Sequence, residues 1–534
     1  MTPFINTIAK SFSPRNNWKK FCTLLGIFIV VRGILYLCIL PPFEGWDEYQ
    51  HVAYIQYLIE KNKAPLIDQA VVSRNLLARL TAYPQPQLMV DQIRSTGARN
   101  YESFYNSNSE IVFNNNHPNI SLYQAQHGSL YYQIVRPLFI LSGGINNLSR
   151  SISVLRFVNL LLVAFALMAC FWFIHQTSED RIQAALLMIV LACQPLYLIN
   201  GCRVANDALA IALGTVVIIL ALQKNWYNRK LLILLISFFL GLAIWIKMTN
   251  LSLGLFVLLT LLFGFLRKAI SFKRVAFVCF AVLLITAASN SPSMIFNLRH
   301  YGTSAPMKEV MINREKGNGV SEAFASLSKI NIAKKLLWVW TRDSTWTGGW
   351  SFLAVKKKAR KCVKFLIYFA SAGWILHLLR SFRKPLLFPS GVSINLFLLV
   401  LSISIALGWK MVQTYLAWGM SGTNAWYACI GLPFFLIMAY EGAGGWGRWG
   451  AIAFGGLMTA TYLFAEIHGA FNRMLPAYSG GATGLEAIRR IALFHPIWLG
   501  LETIVITSIL FIVLFLMITL TMIWEYLFLD ENIA

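Results

Sequence analysis

The sequence predicts an all-α polytopic membrane protein of about twelve transmembrane helices, with interfacial helices in a long first extracytoplasmic loop. Three observations carry that expectation. Hydrophobic residues make up 57% of the 534-residue chain. Charged residues make up 13%, where a soluble domain carries about a quarter. Apolar runs long enough to cross a bilayer recur along most of the chain.

The runs fall at 21–40, 153–174, 182–200, 208–223, 231–247, 250–266, 275–292, 363–379, 392–409, 425–440, 450–466 and 497–523. The first, Phe21 to Leu40, follows a basic stretch, Met1 to Lys20, and is too long for a signal-peptide core. It reads as an uncleaved first helix. Lys10, Arg15, Lys19 and Lys20 place residues 1–20 in the cytoplasm by the positive-inside rule. Lys224, Arg229 and Lys230 then fall on the cytoplasmic side, as do Arg267, Lys268, Lys273 and Arg274, and Arg380, Arg383 and Lys384. An even number of spans returns the C-terminus to the same side, with no soluble domain expected after the last span.

Two long segments are then extracytoplasmic: residues 41–150, and a second from about Ser293 to Arg360. In the first, Tyr54 to Leu58 and Leu130 to Leu141 are too short to span and suit helices lying in the interface. Trp46, Tyr54, Tyr123, Tyr131 and Tyr132 fit an aromatic belt at that depth. The cluster Lys356, Lys357, Lys358, Arg360 and Lys361 departs from the charge rule. Either a neighbouring span is miscounted, or the cluster attracts anionic lipid headgroups or a lipid-linked phosphate.

Lys and Arg number 46 against 22 Asp and Glu, giving a net charge of +24. The basic residues punctuate apolar spans and form no single patch, so cytoplasmic loops account for them better than nucleic-acid binding. The eight Cys lie mostly in apolar runs and show no C-x-x-C pairing, which indicates neither a disulfide framework nor a zinc site.

The sharpest constellation is Pro41-Pro42-Phe43-Glu44-Gly45-Trp46-Asp47-Glu48-Tyr49-Gln50-His51, directly after the first span. A helix beginning at Asp47 puts Asp47 and His51 on one face at i, i+4 and turns Glu48 elsewhere. The competing reading is a capping carboxylate in a solvated loop. A second acid, Asp207, stands beside Arg203 at the outer end of a span, on the same membrane face as Asp47. It either joins Asp47 in a site or caps the next helix. Tyr123-Gln124-Ala125-Gln126-His127-Gly128-Ser129-Leu130-Tyr131-Tyr132 adds polar and aromatic groups. Arg203, Lys247, Arg299 and Arg473 are cations that could face an anion or could snorkel or pair.

Together these residues resemble the GT-C superfamily, membrane glycosyltransferases that take sugars from polyprenyl-phosphate donors. The resemblance rests on Asp47-Glu48 with His51 downstream, which matches a Pro-rich D-E-x-x-H motif of a bacterial branch. It also rests on Gln126 to Tyr132, like a P-P-L-Y-Y segment, and on Leu155-Arg156-Phe157, Asp207, and Asn297 to Gly302, like R-N-x-x-Y-G. It covers roughly residues 20–305. Two departures stand out: His127-Gly128-Ser129 replaces the expected prolines, and Asn424-Ala425-Trp426-Tyr427 lacks the Arg of a Q-G-R-Y segment.

The resemblance implies a catalytic transmembrane module over 21–305, an extracytoplasmic loop over 306–362 and C-terminal helices over 363–534. It implies a polyprenyl-phosphate-linked sugar donor, a glycan, lipid or protein acceptor, and no nucleic acid. A bacterial inner membrane suits it, with the site facing the periplasm or exterior. Asp47 or Glu48 would be the base and Asp207 would position the acceptor or a cation. His51, Gln126, His127, Tyr131, Tyr132, Arg203, Lys247 and Arg299 would bind substrate. No obligatory metal is expected, and a carboxylate-bound divalent cation is allowed. A secondary transporter or lipid flippase is the main alternative, but the acids gather at one interface and not at mid-bilayer, Arg32 being the exception. A non-catalytic polymer-assembly subunit is the third reading.

Overall fold

The computed structural model describes residues 12–14, 17–93, 96–106, 119–341, 345, 348–379 and 389–529. Among them the regular structure is helical, with two isolated β-bridges, Val71 with Ser121 and Gln85 with Asn100. Lys10, Arg15, Arg380, Arg383 and Lys384, used above for orientation, lie outside the described residues.

The main helices are α1 (Trp18–Ile39), α2 (Glu48–Lys61), α3 (Leu130–Leu141), α4 (Leu148–Thr177), α5 (Arg181–Ala192), α6 (Pro195–Gly201), α7 (Asp207–Ala221) and α8 (Lys230–Ile246). They continue as α9 (Leu251–Leu266), α10 (Phe272–Ser289), α11 (Lys308–Glu315), α12 (Lys357–Leu379), α13 (Ser390–Trp418), α14 (Leu432–Gly444), α15 (Arg448–Gly469) and α16 (Leu501–Leu529). A helix lies at each of the twelve predicted runs, but among the described residues only eight are long and apolar enough to cross a membrane alone. Those are α1, α4, α9, α10, α12, α13, α15 and α16; the pair α5–α6, bent by 52°, makes a ninth if counted as one span. At 1.5 Å per residue, α7, α8 and α14 fall short of the roughly 30 Å hydrocarbon core. The runs read there, 208–223, 231–247 and 425–440, are themselves shorter than the roughly 20 residues of a full span, so counting each as a crossing overstated the number of helices that span alone.

The bend between α5 and α6 has a local cause. Pro195 removes a donor at the first turn of α6, and the Gln194 side chain caps that turn by accepting from the Tyr197 N–H at 2.6 Å. The break leaves carbonyls of α5 without helical partners. Arg32, inside α1, supplies them: its guanidinium donates to the carbonyls of Ala192 and Cys193. It also pairs with Glu466 of α15, at 2.7 Å between Nη2 and Oε2. The charge that looked anomalous in the first span therefore joins three helices at the point where one of them breaks.

Exposed apolar side chains such as Phe280, Leu283 and Leu284 on α10 and Ile512, Val513 and Leu516 on α16 form the outward surface a bilayer covers. The segments expected to lie in the interface differ. Helix α2 is buried along most of its length inside protein, and only α3 keeps an exposed apolar edge at Ile134, Ile140 and Leu141. Trp46, Tyr54, Tyr131 and Tyr132 are buried as well, so they form no aromatic belt. Their rings pack on one another instead, Tyr54 on Tyr132 at 3.8 Å and Trp46 on Trp426 at 4.7 Å.

Removing one partner of a buried ion pair typically costs about 3–5 kcal/mol. Arg32→Leu should therefore lower the thermal midpoint of the detergent-solubilised protein markedly, and Arg32→Leu/Glu466→Leu should recover part of that loss. Equal midpoints for Arg32→Leu and wild type would show that the pair does not hold the break.

Candidate active site

The loop after α1 is bent tightly before any chemistry begins. Phe43 and Asp47 both adopt left-handed backbone, at φ 71° and 59°. For a residue with a bulky side chain this costs on the order of 1–3 kcal/mol, so neighbours must impose it. Glu48 does so. Its carboxylate accepts from the Phe43 N–H at 2.8 Å and the Val204 N–H at 2.7 Å. Arg156 of α4 closes on it with two bonds, at 2.8 and 2.6 Å, and also donates to the carbonyls of Leu40 and Pro41. Gly45 sits where a Cβ would come within 2.6 Å of the Arg203 Cβ, so the two acidic loops touch backbone to side chain.

Glu44 anchors the same turn from the other side. Its carboxylate accepts from Tyr101 at 2.7 Å, Tyr478 at 3.0 Å and the backbone and hydroxyl of Ser351 at 2.8 and 3.0 Å. Burial pushes the Glu44 carboxyl up to about 7 against the pull of those donors.

Asp47, one residue before α2, makes no capping bond to the helix it precedes. Its half-buried carboxylate instead lines a polar cavity of about 80 Å³. Gln124 donates to it at 3.4 Å and Tyr123 through its hydroxyl. Burial raises its pKa, and the Tyr123 hydroxyl and the charges of Arg203 and Lys247 oppose that rise.

Asp207, the first residue of α7, lines the cavity in a different state. One oxygen accepts from Arg203 at 2.6 Å and the other from Lys247. Arg203 spends its remaining donors on Asn200 at 2.8 Å and the Trp46 carbonyl at 2.8 Å. Lys247 reaches Asp207 because the chain leaves α8 in extended conformation there. Asn206 holds that end by donating to the Ile246 carbonyl at 3.0 Å, and Asn250 by donating to Ala243 at 2.7 Å.

The remaining predicted residues divide. His51, Gln126 and His127 line the cavity with Asp47, Asp207, Arg203 and Lys247. His51 Nδ1 meets the Tyr132 hydroxyl at 2.8 Å. Burial, and after it the cation Arg203, holds His51 well below its ordinary value, and burial takes His127 down to about 3, so both imidazoles are neutral. Tyr131 and Tyr132 stand behind the lining: Tyr131 bonds Asn159, and Tyr132 stacks on Tyr54. Glu48 is placed away from the cavity, its oxygens occupied by Arg156, Phe43 and Val204. Arg299 is exposed on the helix Ser291–Tyr301 and is not part of the lining.

Sequence reasoning missed four groups. Lys410 of α13 pairs with Glu309 of α11, and both line the cavity with Asp207. Two ammonium groups lie over the Tyr427 ring, Lys247 at 5.3 Å and Lys410 at 5.8 Å from its centre. Asn159 of α4 donates to the carbonyls of Arg203 and Ala205 at 2.6 and 3.2 Å, which fixes the second acidic loop. A lysine near the end of an apolar run was the available signal for Lys410; nothing local in the sequence pairs it with Glu309. The departure at His127-Gly128-Ser129 also has a structural cause. A Cβ at Gly128 would lie 1.7 Å from the Trp245 carbonyl oxygen, so only glycine lets this turn press against the end of α8. Among the described residues, no group of three or more His, Cys, Asp or Glu side chains is placed to hold a metal ion.

Fold and site together define a multi-pass helical membrane protein with a small, highly charged cavity at one end of its helices. No protein-family model and no curated protein matches the sequence. Among solved structures, the chain is similar to ArnT from Cupriavidus metallidurans bound to undecaprenyl phosphate, with a TM-score of 0.47 and 10% identity over 95% of this chain and 75% of that one. It is also similar to the Archaeoglobus fulgidus oligosaccharyltransferase in the apo form, with a TM-score of 0.42 and 13% identity over 86% of this chain and 56% of that one.

Gly128→Ala should lower stability by about 1–3 kcal/mol, the usual cost of overpacking. It should also expose the end of α8 to proteolysis or amide exchange around Trp245. An unchanged midpoint with unchanged exchange would contradict the contact.

Proposed function

We propose that this chain is a GT-C-type glycosyltransferase that moves a sugar from a polyprenyl-phosphate donor to an envelope glycan, lipid or protein acceptor. The observation that carries the reading is the division of labour between two acids in one cavity. Asp207 is held between two cations, while among the described residues Asp47 has only a phenol and an amide as hydrogen-bond partners in the cavity. The sequence motifs around Asp47, Asp207 and Tyr131-Tyr132 support it independently.

In this reading Asp47 takes the proton from an acceptor hydroxyl. The hydroxyl oxygen then attacks the anomeric carbon from the face opposite the phosphate, so configuration inverts. The C–O bond to the phosphate breaks with its electron pair and the polyprenyl phosphate leaves as an anion. Positioned proton removal typically contributes about 10²–10⁴ in rate. Lys247 and Lys410 would stabilise the charge the departing phosphate gains, with Arg203 ordering Lys247 through Asp207. His51 and His127, neutral, offer hydrogen bonds to sugar or acceptor hydroxyls. The mechanism invokes no metal ion, and chelator-treated protein should keep its activity. A bacterial inner membrane with the cavity facing the periplasm is the location this donor chemistry suits.

The test works whichever sugar is transferred. Deletion in the host, complemented by wild type or Asp47→Asn, is followed by mass spectrometry of envelope glycans and lipids. A sugar-sized mass lost on deletion should return with wild type and not with equally expressed Asp47→Asn. Return with both would remove Asp47 as the base and favour a transport role. With purified protein and an identified acceptor, the rate should fall on acidification within a pH range above that of an ordinary carboxylate, near 4. Burial raises the Asp47 pKa, so protonation disables the base at higher pH than usual. Glu48→Gln, by contrast, should fail at folding, because it leaves the buried Arg156 without a carboxylate.

A further inference from the structure

The basic cluster that broke the charge rule lies at a second cavity, separate from the one containing Asp47. Lys357, Arg360, Lys361 and Lys364 fall on one face of the first turns of α12 and line, with Trp338 and Thr341, a cavity of about 420 Å³. Among the described residues no acid contributes to that lining. Among the described residues, Lys357, Lys361 and Lys364 pair with no carboxylate. The cavity opens at the N-terminus of a 23-residue helix, where backbone N–H groups add to the positive potential.

Its membrane face follows from the chain. Ser351 is bonded to Glu44, and Trp350 stacks on Tyr49 at 5.7 Å, so this segment is fixed against the loop that carries Asp47. Lys357 comes six residues after Ser351, a reach of at most about 22 Å, less than the thickness of the hydrocarbon core. The cluster therefore stands on the same face as Asp47. The helix turns apolar just beyond it: Phe365 and Tyr368 are 65% and 48% exposed, and Lys364 lies over the Tyr368 ring at 5.3 Å. Trp338, 38% exposed with Lys334 over its ring at 5.4 Å, marks the same level on the adjacent helix Ile332–Trp340. Charged residues above and lipid-facing aromatics below define headgroup depth.

We propose that this cavity is a binding site for a lipid-borne phosphate, seated by Lys357, Lys361 and Lys364 at the N-terminus of α12 with its acyl or prenyl chain running along Phe365 and Tyr368. The proposal does not rest on the glycosyltransferase reading. Three clustered lysines suit a phosphate group, and the exposed apolar continuation of the helix selects a phosphate that carries a hydrocarbon chain over a free one.

The full chain in detergent would be titrated with phosphatidylglycerol, phosphatidylcholine and a polyprenyl monophosphate and read by native mass spectrometry. Wild type should bind the phosphatidylglycerol or the polyprenyl phosphate in preference to the zwitterionic phosphatidylcholine, and the ratio of the first two identifies the source. Lys357→Gln/Lys361→Gln/Lys364→Gln should weaken that binding on the order of 100-fold, at about tenfold or less per cation removed. The control Lys224→Gln/Lys230→Gln/Lys268→Gln, on the opposite face, should leave it unchanged. Equal binding by wild type and the first triple variant, or equal loss in the control, would overturn the proposal. So would stabilisation of the wild type by inorganic phosphate as large as by the lipid. Both triple variants replace lysines that are exposed or, at Lys364, half-buried, and matching elution profiles and thermal midpoints without lipid would confirm that each is folded.

Discussion

Glu48 lies one residue from the cavity acid Asp47 and is turned away from the cavity, yet the geometry of the site hangs on it. Its two oxygens accept four bonds, from Arg156 twice and from the backbones of Phe43 and Val204. A buried, fully satisfied carboxylate of this kind specifies geometry more than it adds stability, because desolvation offsets much of the Coulombic gain. Here the geometry specified is a turn with two side-chain-bearing residues in left-handed backbone. The bond to Phe43 holds the first part of that turn, and the bond to Val204 sets the second acidic loop against it. Arg156 closes the arrangement by occupying the last carbonyls of the first span. Strain in the loop, the direction of Asp47 and the nearness of Arg203 thus share one cause.

Much of this was legible in the sequence. The positions of the helices followed from apolar runs, since nothing else fills a bilayer with satisfied backbone. The i, i+4 spacing of Asp47 and His51 placed both on one cavity wall, and Asp207 with Arg203 stood out as charges too costly to bury without partners. What stayed hidden depends on contacts distant along the chain. Glu48 and Asp47 are neighbours of the same chemical type, and only the position of Arg156, 108 residues on, separates a structural acid from a cavity acid. The aromatic residues of the first loop misled for a related reason: composition gives amphipathic rings, and only tertiary packing decides whether they face lipid or one another. Arg299 shows the converse, a motif residue whose helix carries it to the surface.

The shortness of α7, α8 and α14 belongs to the same account. The loops 201–207 and 247–250 at their ends hold Arg203, Asp207 and Lys247 buried, with protein surrounding the charges. Irregular backbone buried in this way is tolerated only when other groups satisfy it, and Asn159, Asn206 and Asn250 each donate to carbonyls of those loops or of the helix end beside them. Three asparagines thus do for the backbone what longer helices would otherwise do.

The charges of the cavity set the terms on which any anion arrives. Three carboxylates, Asp47, Asp207 and Glu309, face three cations, Arg203, Lys247 and Lys410. Two carboxylates are engaged by cations directly, so the arrangement is close to neutral without a ligand. Under the proposed function, an incoming phosphate would therefore compete with Asp207 and Glu309 for Lys247 and Lys410, both of which also lie over the Tyr427 ring. Ammonium groups on flexible stems can turn from one partner to another, whereas a guanidinium fixed by three separate acceptors, as Arg203 is, cannot. The lysines are thus the mobile charges and Arg203 the fixed one. In the proposed glycosyl transfer, such an arrangement would hold a phosphate loosely at rest and more tightly as its charge grows, which is the preference a leaving group requires.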